Sequence, residues 1–338
     1  MKAIHLTAPA LNAFQAVDLP EPRAGRGEVL VRLRAAALNY LDVAVAAGHF
    51  PAPVWPLVPV ADGAGEVVAL GDDVTGFAPG DRVVPHFMPA WQDGAIGAAR
   101  VAAMRGVNLP GSLAEFVAVP ASSLVRLPDH LDFAQGATLP IAATTAWNAV
   151  RAGQVKAGSV VVILGTGGVS LFALQFAKAL GATVVLVSSS EAKLDRGHGL
   201  GADHLVNYQR TPAWEDEVLA LTGGRGADLV VETVGGASVG RSIRAAALGG
   251  TVFTVGFLAG TGFEIDLLPL IVKAVRLVGN NTGSVADLAA ATQAIATHRI
   301  VPVVHRTFGL ADTAEAYAEL AAGGRHMGKL AIVHDATA

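Results

Sequence analysis

The stretch VVILGTGGVSLFALQFAKALGATVVLVSSS, Val161 to Ser190, holds residues whose spacing implies chemistry. A Val-rich run, a glycine turn, an apolar helical run and a second Val-rich run follow one another. A glycine turn between a buried strand and a helix lets the backbone approach a pyrophosphate, which then meets the amides and positive end of the helix. Gly165 makes the tight turn and Gly167 the close approach. Ser170 stands where the full fingerprint has a third glycine, and it is small enough to keep helix and strand close. Gly165, Thr166, Gly167, Gly168 and Val169 are therefore expected to hold a dinucleotide.

The second Val-rich run ends in three serines. Ser188 stands 23 residues after Gly165, near the position where a carboxylate would bind the ribose 2′-hydroxyl of NAD and repel a 2′-phosphate. Serines repel nothing and can donate hydrogen bonds to phosphate. Ser188 and Ser189, the cation Lys193 and the ring of Tyr208 thus predict a 2′-phosphate pocket, and hence NADPH, with Arg210 as a further candidate. Ser190 and Lys193 equally suit a helix N-cap followed by a solvated face, and the two readings are compatible.

The elements that must position these residues are legible in texture. MKAIHL, EVLVRLRAAAL, GAGEVVAL, DRVVPHF and AEFVAVP are short apolar runs punctuated by Gly, Pro and Asp, which predicts a β-rich, partly barrel-like first domain. From LDFAQGATLPIAATTAWNAVRAG onward, helical and Val-rich runs alternate, the pattern of a parallel sheet covered on both faces in a doubly wound α/β fold. The boundaries expected are 1–122, completed by 284–338, for the β-rich domain and 123–283 for the nucleotide domain, with the last strand, in GKLAIVHD, returning to the first.

Composition narrows the classes. The 338 residues suffice for two domains, and 52% hydrophobic against 15% charged excludes a disordered chain. No apolar run has the length of a bilayer span, and MKAIHLTAPALNAF lacks a signal-peptide core, so a cytoplasmic protein is expected. A net charge of -4 gives no footprint for nucleic acid or an anionic membrane. There is no cysteine, so no disulfide forms and no thiolate binds zinc. The ten histidines include no HExxH pair.

AAALNYLDVAVAAGHFP, VPVADGAGEVVALGDDVTGFAPGDRVV, GSLAEFVAVP, ATLPIAATTAWNAV, VVILGTGGVSLFALQFAKALGA, GADHLVNY and GKLAIVHD span the chain in order. On these stretches the sequence resembles the medium-chain dehydrogenase/reductase superfamily, and within it the zinc-independent, quinone-oxidoreductase-like branch. The resemblance implies a GroES-like catalytic domain, a Rossmann domain and a cleft between them. Zinc-dependent members carry a ligand Cys where this chain has Asn39, a His–Glu pair at Ala61 and Asp62, and a second Cys at Ile141, so all three metal ligands are replaced. The segment from 85 to 112, where a four-cysteine lobe would lie, has no cysteine and is not short.

By that resemblance Asn39 and Thr145 hydrogen-bond near the nicotinamide and its ribose, with Thr144 sharing the role of Thr145. Tyr40 orients a substrate oxygen, delivers a proton or makes a cofactor contact, and Asp42 is a structural acceptor. Ligands bind at the carboxyl ends of parallel strands, which adds Thr233, Gly235, Val255, Gly256, Phe257, Asn280 and Asn281 as cofactor contacts. His49, Phe50, Trp55, His86 and Trp91 are either pocket walls or ordinary packing.

The expectation is an NADPH-dependent, zinc-independent reductase of quinones, enones or other activated apolar small molecules, working as a homodimer through the last sheet strand near Val275 to Gly279. Without a Lewis acid to hold an alkoxide, a delocalised acceptor suits the site better. The alternatives are a metal-free alcohol or aldehyde oxidoreductase and a low-turnover NADPH-binding protein. A Rossmann methyltransferase is disfavoured by the first third of the chain.

Overall fold

A computed structural model describes residues 1–50 and 55–334. The chain forms two compact units, Met1–Thr144 with Gly283–Ala338, and Thr145–Thr282. The first unit begins with a hairpin of β1 (Lys2–Leu6) and β2 (Phe14–Asp18). It continues with β3 (Glu28–Ala37), α1 (Tyr40–Ala46), β4 (Asp62–Leu70), β5 (Arg82–Pro85), α2 (Ala98–Val101), β6 (Phe116–Pro120), β7 (Leu124–Arg126) and α3 (Phe133–Gly136). A π-helical turn over Leu139–Ala143 leads into α4 (Thr144–Ala152).

The second unit alternates strand and helix: β8 (Val160–Leu164), α5 (Gly168–Ala179), β9 (Thr183–Ser188), α6 (Glu191–Gly199), β10 (His204–Asn207), α7 (Trp214–Leu221), β11 (Ala227–Glu232), α8 (Ser238–Ala245), β12 (Ala246–Thr254), α9 (Leu267–Val272) and β13 (Arg276–Gly279). The chain then completes the first unit with α10 (Val285–His298), β14 (Val304–Gly309), α11 (Thr313–Ala322) and β15 (Lys329–Val333).

In the first unit, β3 is the hub, pairing antiparallel with β4, β6 and β15. Its register with β4 slips twice, between Leu30 and Val31 and between Leu33 and Ala35, and such bulges bend a sheet toward closure. The close approach there needs a glycine, because a Cβ on Gly65 would lie 2.1 Å from the Arg32 carbonyl oxygen. The last strand does return to this unit, with Ala331 opposite Ala37. That places Lys329, at the head of β15, beside the end of β3.

In the second unit all six strands are parallel, in the order β10-β9-β8-β11-β12-β13. Val161, Val162, Val184, Val185, Val230 and Val231 are fully buried, as covered parallel strands require. The order reverses between β8 and β11, the switch point at which such sheets bind ligands.

One boundary differs from the expectation. The segment from 123 to 144 belongs to the first unit rather than to the nucleotide unit. The reason is strand pairing: β7 adds to β5, with Val83 opposite Arg126, and Ile141 hydrogen-bonds to Asp62.

Candidate functional site

The nucleotide unit gathers most of the expected residues at one edge of its sheet. Gly165 through Val169 follow β8, Ser188 ends β9, Tyr208 follows β10, Thr233 follows β11, Val255 to Phe257 follow β12, and Asn280 and Asn281 follow β13. Because the strands are parallel, these are all carboxyl ends.

The glycine turn is locked from behind. Gly165 has φ +72, a left-handed conformation that favours glycine. The hydroxyls of Ser170 and Thr233 both donate to the Leu164 carbonyl, at 2.8 and 2.7 Å. Ser170 is thus more than a small substitute for glycine, since its hydroxyl ties α5 to β8. A Cβ on Gly167 would meet nothing within 4 Å, which leaves open space in front of the α5 N-terminus. A left-handed glycine, a braced turn and free approach to a helix start fit a dinucleotide.

The serine end is more mixed. Ser188 is buried and its carbonyl accepts from the Tyr208 amide at 3.0 Å. Ser189 and Tyr208 are exposed. Ser190 stands at the N-cap of α6, yet its side chain makes no cap hydrogen bond. Partial burial, and then Arg196, lower the Lys193 ammonium from its ordinary value. Glu191 follows the serines directly and takes a 2.6 Å hydrogen bond from the Asn207 amide and a 3.2 Å ion pair from Arg210. Arg210 therefore pairs on the surface with a carboxylate that no motif in the sequence singles out.

Glu232, likewise singled out by no motif, organises the next two loops. Its Oε1 accepts from the amides of Val234 (2.8 Å) and Gly235 (3.0 Å). Its Oε2 accepts from the hydroxyls of Ser238 (2.9 Å) and Ser242 (2.6 Å). Its own carbonyl takes the amides of Val255 and Gly256. The Thr233 and Val255 loops consequently touch backbone to backbone, and a Cβ on Gly256 would sit 1.8 Å from the Thr233 carbonyl oxygen. The available signal was an acid closing a fully buried Val run, followed by serines spaced i, i+4 on one helix.

In the first unit, Asn39 precedes α1 and Tyr40 is its first residue, 40% exposed. Asp42 is the structural acceptor expected, taking the amides of Asn39 (2.7 Å) and Ala61 (2.9 Å). The Asn39 side chain points into a buried polar network. Its Oδ1 accepts from Lys329 Nζ at 2.6 Å, while its Nδ2 donates to Asp62 Oδ2 at 2.8 Å and to the Ala37 carbonyl at 3.4 Å. Lys329 Nζ also donates to the Leu38 carbonyl at 2.6 Å, and Asp62 Oδ2 accepts from the Ile141 amide at 3.2 Å.

Asp62 is fully buried, and among the described residues its Oδ1 has no hydrogen-bond partner. Burial raises the Asp62 and Asp42 carboxyls and lowers the Lys329 ammonium, while the attraction between the opposite charges works against all three shifts. Arg105, equally buried, donates to Ser112 Oγ at 3.1 Å and to the Gly111 carbonyl at 3.3 Å. Burial lowers its guanidinium to about 10, against the pull of Asp62.

The donor set at these positions does not fit a zinc ion. Ala61 and Ile141 offer no side-chain donor, and the Asn39 amide is held by Lys329 and Asp62. Zinc takes Cys, His and carboxylate ligands in a tetrahedron. Among the described residues no three His, Asp or Glu side chains gather at one point. Ala61 instead packs with Phe87, Met88 and Trp91 of the cysteine-free segment, and Ile141 leans on that cluster.

Four of the other expected wall residues are packed and one is exposed. His86 is fully buried, and its Nδ1 takes the Met88 amide at 3.1 Å. Burial lowers it to about 4. Trp91 Nε1 donates to the Gly94 carbonyl at 2.9 Å. Phe50 and Trp55 pack on the core around Leu6 and Val43, and His49 is exposed. Thr144 and Thr145 are both buried, and among the described residues Thr144 Oγ1 has no hydrogen-bond partner.

Residues 25–129 match the alcohol dehydrogenase GroES-like domain, and residues 168–297 match the zinc-binding dehydrogenase domain. A zinc-type alcohol dehydrogenase-like protein of Schizosaccharomyces pombe is 39% identical over 317 residues, 91% of each chain. A quinone oxidoreductase of Pseudomonas aeruginosa is 33% identical over 93% of each chain. A crystal structure of an NAD-dependent alcohol dehydrogenase superposes with a TM-score of 0.90 at 34% identity, covering 99% of this chain and all of the other. With the GroES-like sheet and the Rossmann sheet both present, the chain belongs to the medium-chain dehydrogenase/reductase superfamily. It is an oxidoreductase of that class, whose members bind NAD(P).

Proposed function

We propose that the protein is a metal-free, NADPH-dependent reductase of quinones, enones or similar activated apolar compounds. The observation that carries this reading is the occupation of positions 39, 61, 62 and 141. The Asn39 amide, accepting from Lys329 and donating to Asp62, occupies the place where the family resemblance puts the metal in zinc-dependent members. Without a Lewis acid to hold an alkoxide, the acceptor best suited is one that spreads the arriving charge through its own conjugation. The relationship to a quinone oxidoreductase supports the same class.

The glycine turn and the strand ends would hold the dinucleotide: Gly165 to Val169 at the pyrophosphate, Thr233 beside the adenosine, Thr145 near the nicotinamide ribose and Val255 to Phe257 at the carboxamide, with Asn281 beyond β13. When bound, the reduced nicotinamide supplies hydride to the electrophilic carbon or quinone. One proton must then reach the reduced product, and Tyr40 is the exposed phenol we assign to orient the substrate oxygen or deliver it. Asn39 acts as a positioning residue here, because its hydrogens are committed inside the unit.

Ser188, Ser189, Lys193 and Tyr208 favour the 2′-phosphate of NADPH over the bare ribose of NADH. Glu191 is the opposing charge, and Arg210 neutralises it. Steady-state turnover of 1,2-naphthoquinone with each cofactor tests the whole reading. We expect at least tenfold higher kcat/KM with NADPH, and a smaller gap in Lys193→Ala. Equal use of NADH would remove the serine argument, in keeping with the NAD-dependent neighbour. Activity that needs added zinc would remove the metal-free assignment, and cofactor binding without turnover would leave a binding protein. The alcohol dehydrogenase relatives favour a second reading, metal-free oxidation of an alcohol, which would show as NADP reduction by simple alcohols.

We also propose a cytoplasmic homodimer. β13 is the last strand of its sheet, and in α9, which precedes it in the chain, Leu267, Leu268, Ile271 and Val272 are 59 to 68% exposed. A second copy pairing along β13 would cover this apolar surface. A monomer in sedimentation at micromolar concentration would dismiss the dimer.

A further inference from the structure

Lys329 and Asp62 touch neither substrate nor cofactor in the proposed reaction, although both are charged groups buried in the first unit. An ammonium buried with only neutral acceptors is strongly unfavourable, and only nearby carboxylates make it tolerable. Here Lys329 donates to two neutral oxygens, Leu38 O and Asn39 Oδ1, and draws its charge balance from Asp62 and Asp42. A simple structural clip would be fully hydrogen-bonded or replaced by apolar residues of equal volume. This network is neither, since Asp62 Oδ1 is buried and unpartnered among the described residues.

The placement is specific. Lys329 heads β15, Asn39 precedes α1, Asp62 heads β4 and Ile141 lies in the π-helical turn. The network ties together the segments that carry the metal ligands in zinc-dependent relatives. Its polar output is the Asn39 side chain, whose acceptor is fixed by Lys329 and whose donor is fixed by Asp62. Asn39 in turn sets the first turn of α1, where its amide bonds to Asp42 and Tyr40 follows directly.

We propose that Lys329 is a positioning residue for the reaction, which with Asp62 fixes Asn39 and through it the start of α1 that presents Tyr40. This rests on the reductase reading above. The ammonium acts through its hydrogen bonds to Asn39 and the Leu38 carbonyl.

The test compares Lys329→Met with the charge-balanced Lys329→Met/Asp62→Leu in the full-length protein. The single variant leaves buried carboxylates uncompensated, and its Tm should fall by 10 °C or more. The double variant should recover most of that Tm. Its kcat for 1,2-naphthoquinone should nevertheless stay at least tenfold below wild type, with KM and the Kd for NADPH changed less than threefold. The Asn39 side-chain amide resonances should move from a shifted, exchange-protected position to an ordinary one in the double variant. Wild-type kcat in the double variant would overturn the proposal and leave the network purely architectural. So would an unchanged Asn39 resonance. If the wild-type protein reduces no quinone, the reductase reading fails by itself, and the Asn39 resonance compared between Asp62→Leu alone and the double variant still decides whether Lys329 holds that side chain.

Discussion

Asp62 and Glu232 are both fully buried carboxylates at a strand end, one in each unit, and they are satisfied in opposite ways. Glu232 receives two amides and two hydroxyls, so its oxygens are met by neutral donors from the loop and helix that follow it. Asp62 receives an amide side chain and one backbone amide on a single oxygen, has no partner on the other among the described residues, and relies on the Lys329 charge. A carboxylate ringed by short-range donors is a local fastener. One balanced by a cation from a distant strand couples remote segments and leaves capacity unused. The contrast separates the braced loops of the Rossmann unit from the charge-balanced network of the GroES-like unit.

Truncating the fastener should have the largest effect. Glu232→Ala strands two amides and two hydroxyls, and should cost about 4 kcal/mol in urea unfolding. NADPH binding should weaken with it, because the Thr233 and Val255 loops lose their common anchor. A variant with unchanged affinity would show that the two loops stand without it.

The next effect is a pH dependence confined to the first unit. The folded His86 lies near 4 and an unfolded histidine near 6.5, so the unfolded state binds the proton first. Stability is full above about pH 6.5 and is lost as pH falls toward 4, by about 3 kcal/mol in all. Asp62 acts with the opposite sign, since burial raises it. The difference between wild type and His86→Phe isolates the histidine, and parallel profiles for the two proteins would contradict its burial as a neutral ring.

Neutralisation without truncation sharpens the contrast most finely. Asp62→Asn keeps the shape but removes one of the two carboxylates that balance Lys329, and should cost about 2 kcal/mol. Glu232→Gln can turn its amide toward Ser238 and Ser242, whose hydroxyls reverse to accept, and should cost about 1 kcal/mol. Matched denaturation curves decide it, and the reverse order would mean that charge matters in the second unit rather than the first.

The sequence by itself determined what is local. The period and composition of the Val-rich runs made a covered parallel sheet, and GTGGVS made a turn that only small residues and a left-handed Gly165 can form. The absence of cysteine, with Asn39, Ala61 and Ile141 in order, removed the zinc donors. Tertiary structure alone decided what depends on segments far apart in the chain. Lys329 reads as an ordinary cation before an apolar strand until β15 returns to β3 and sets it 2.6 Å from Asn39, 290 residues away. Glu232 reads as the acid that ends a strand until α8 brings Ser238 and Ser242 over it. Residues 123 to 144 read as the opening of the nucleotide domain until β7 pairs with β5. Hydrophobic period and turn chemistry act over a few residues, so a sequence displays them directly. The pairing of a buried charge is fixed only when distant strands meet, because only there does the loss of water force a partner.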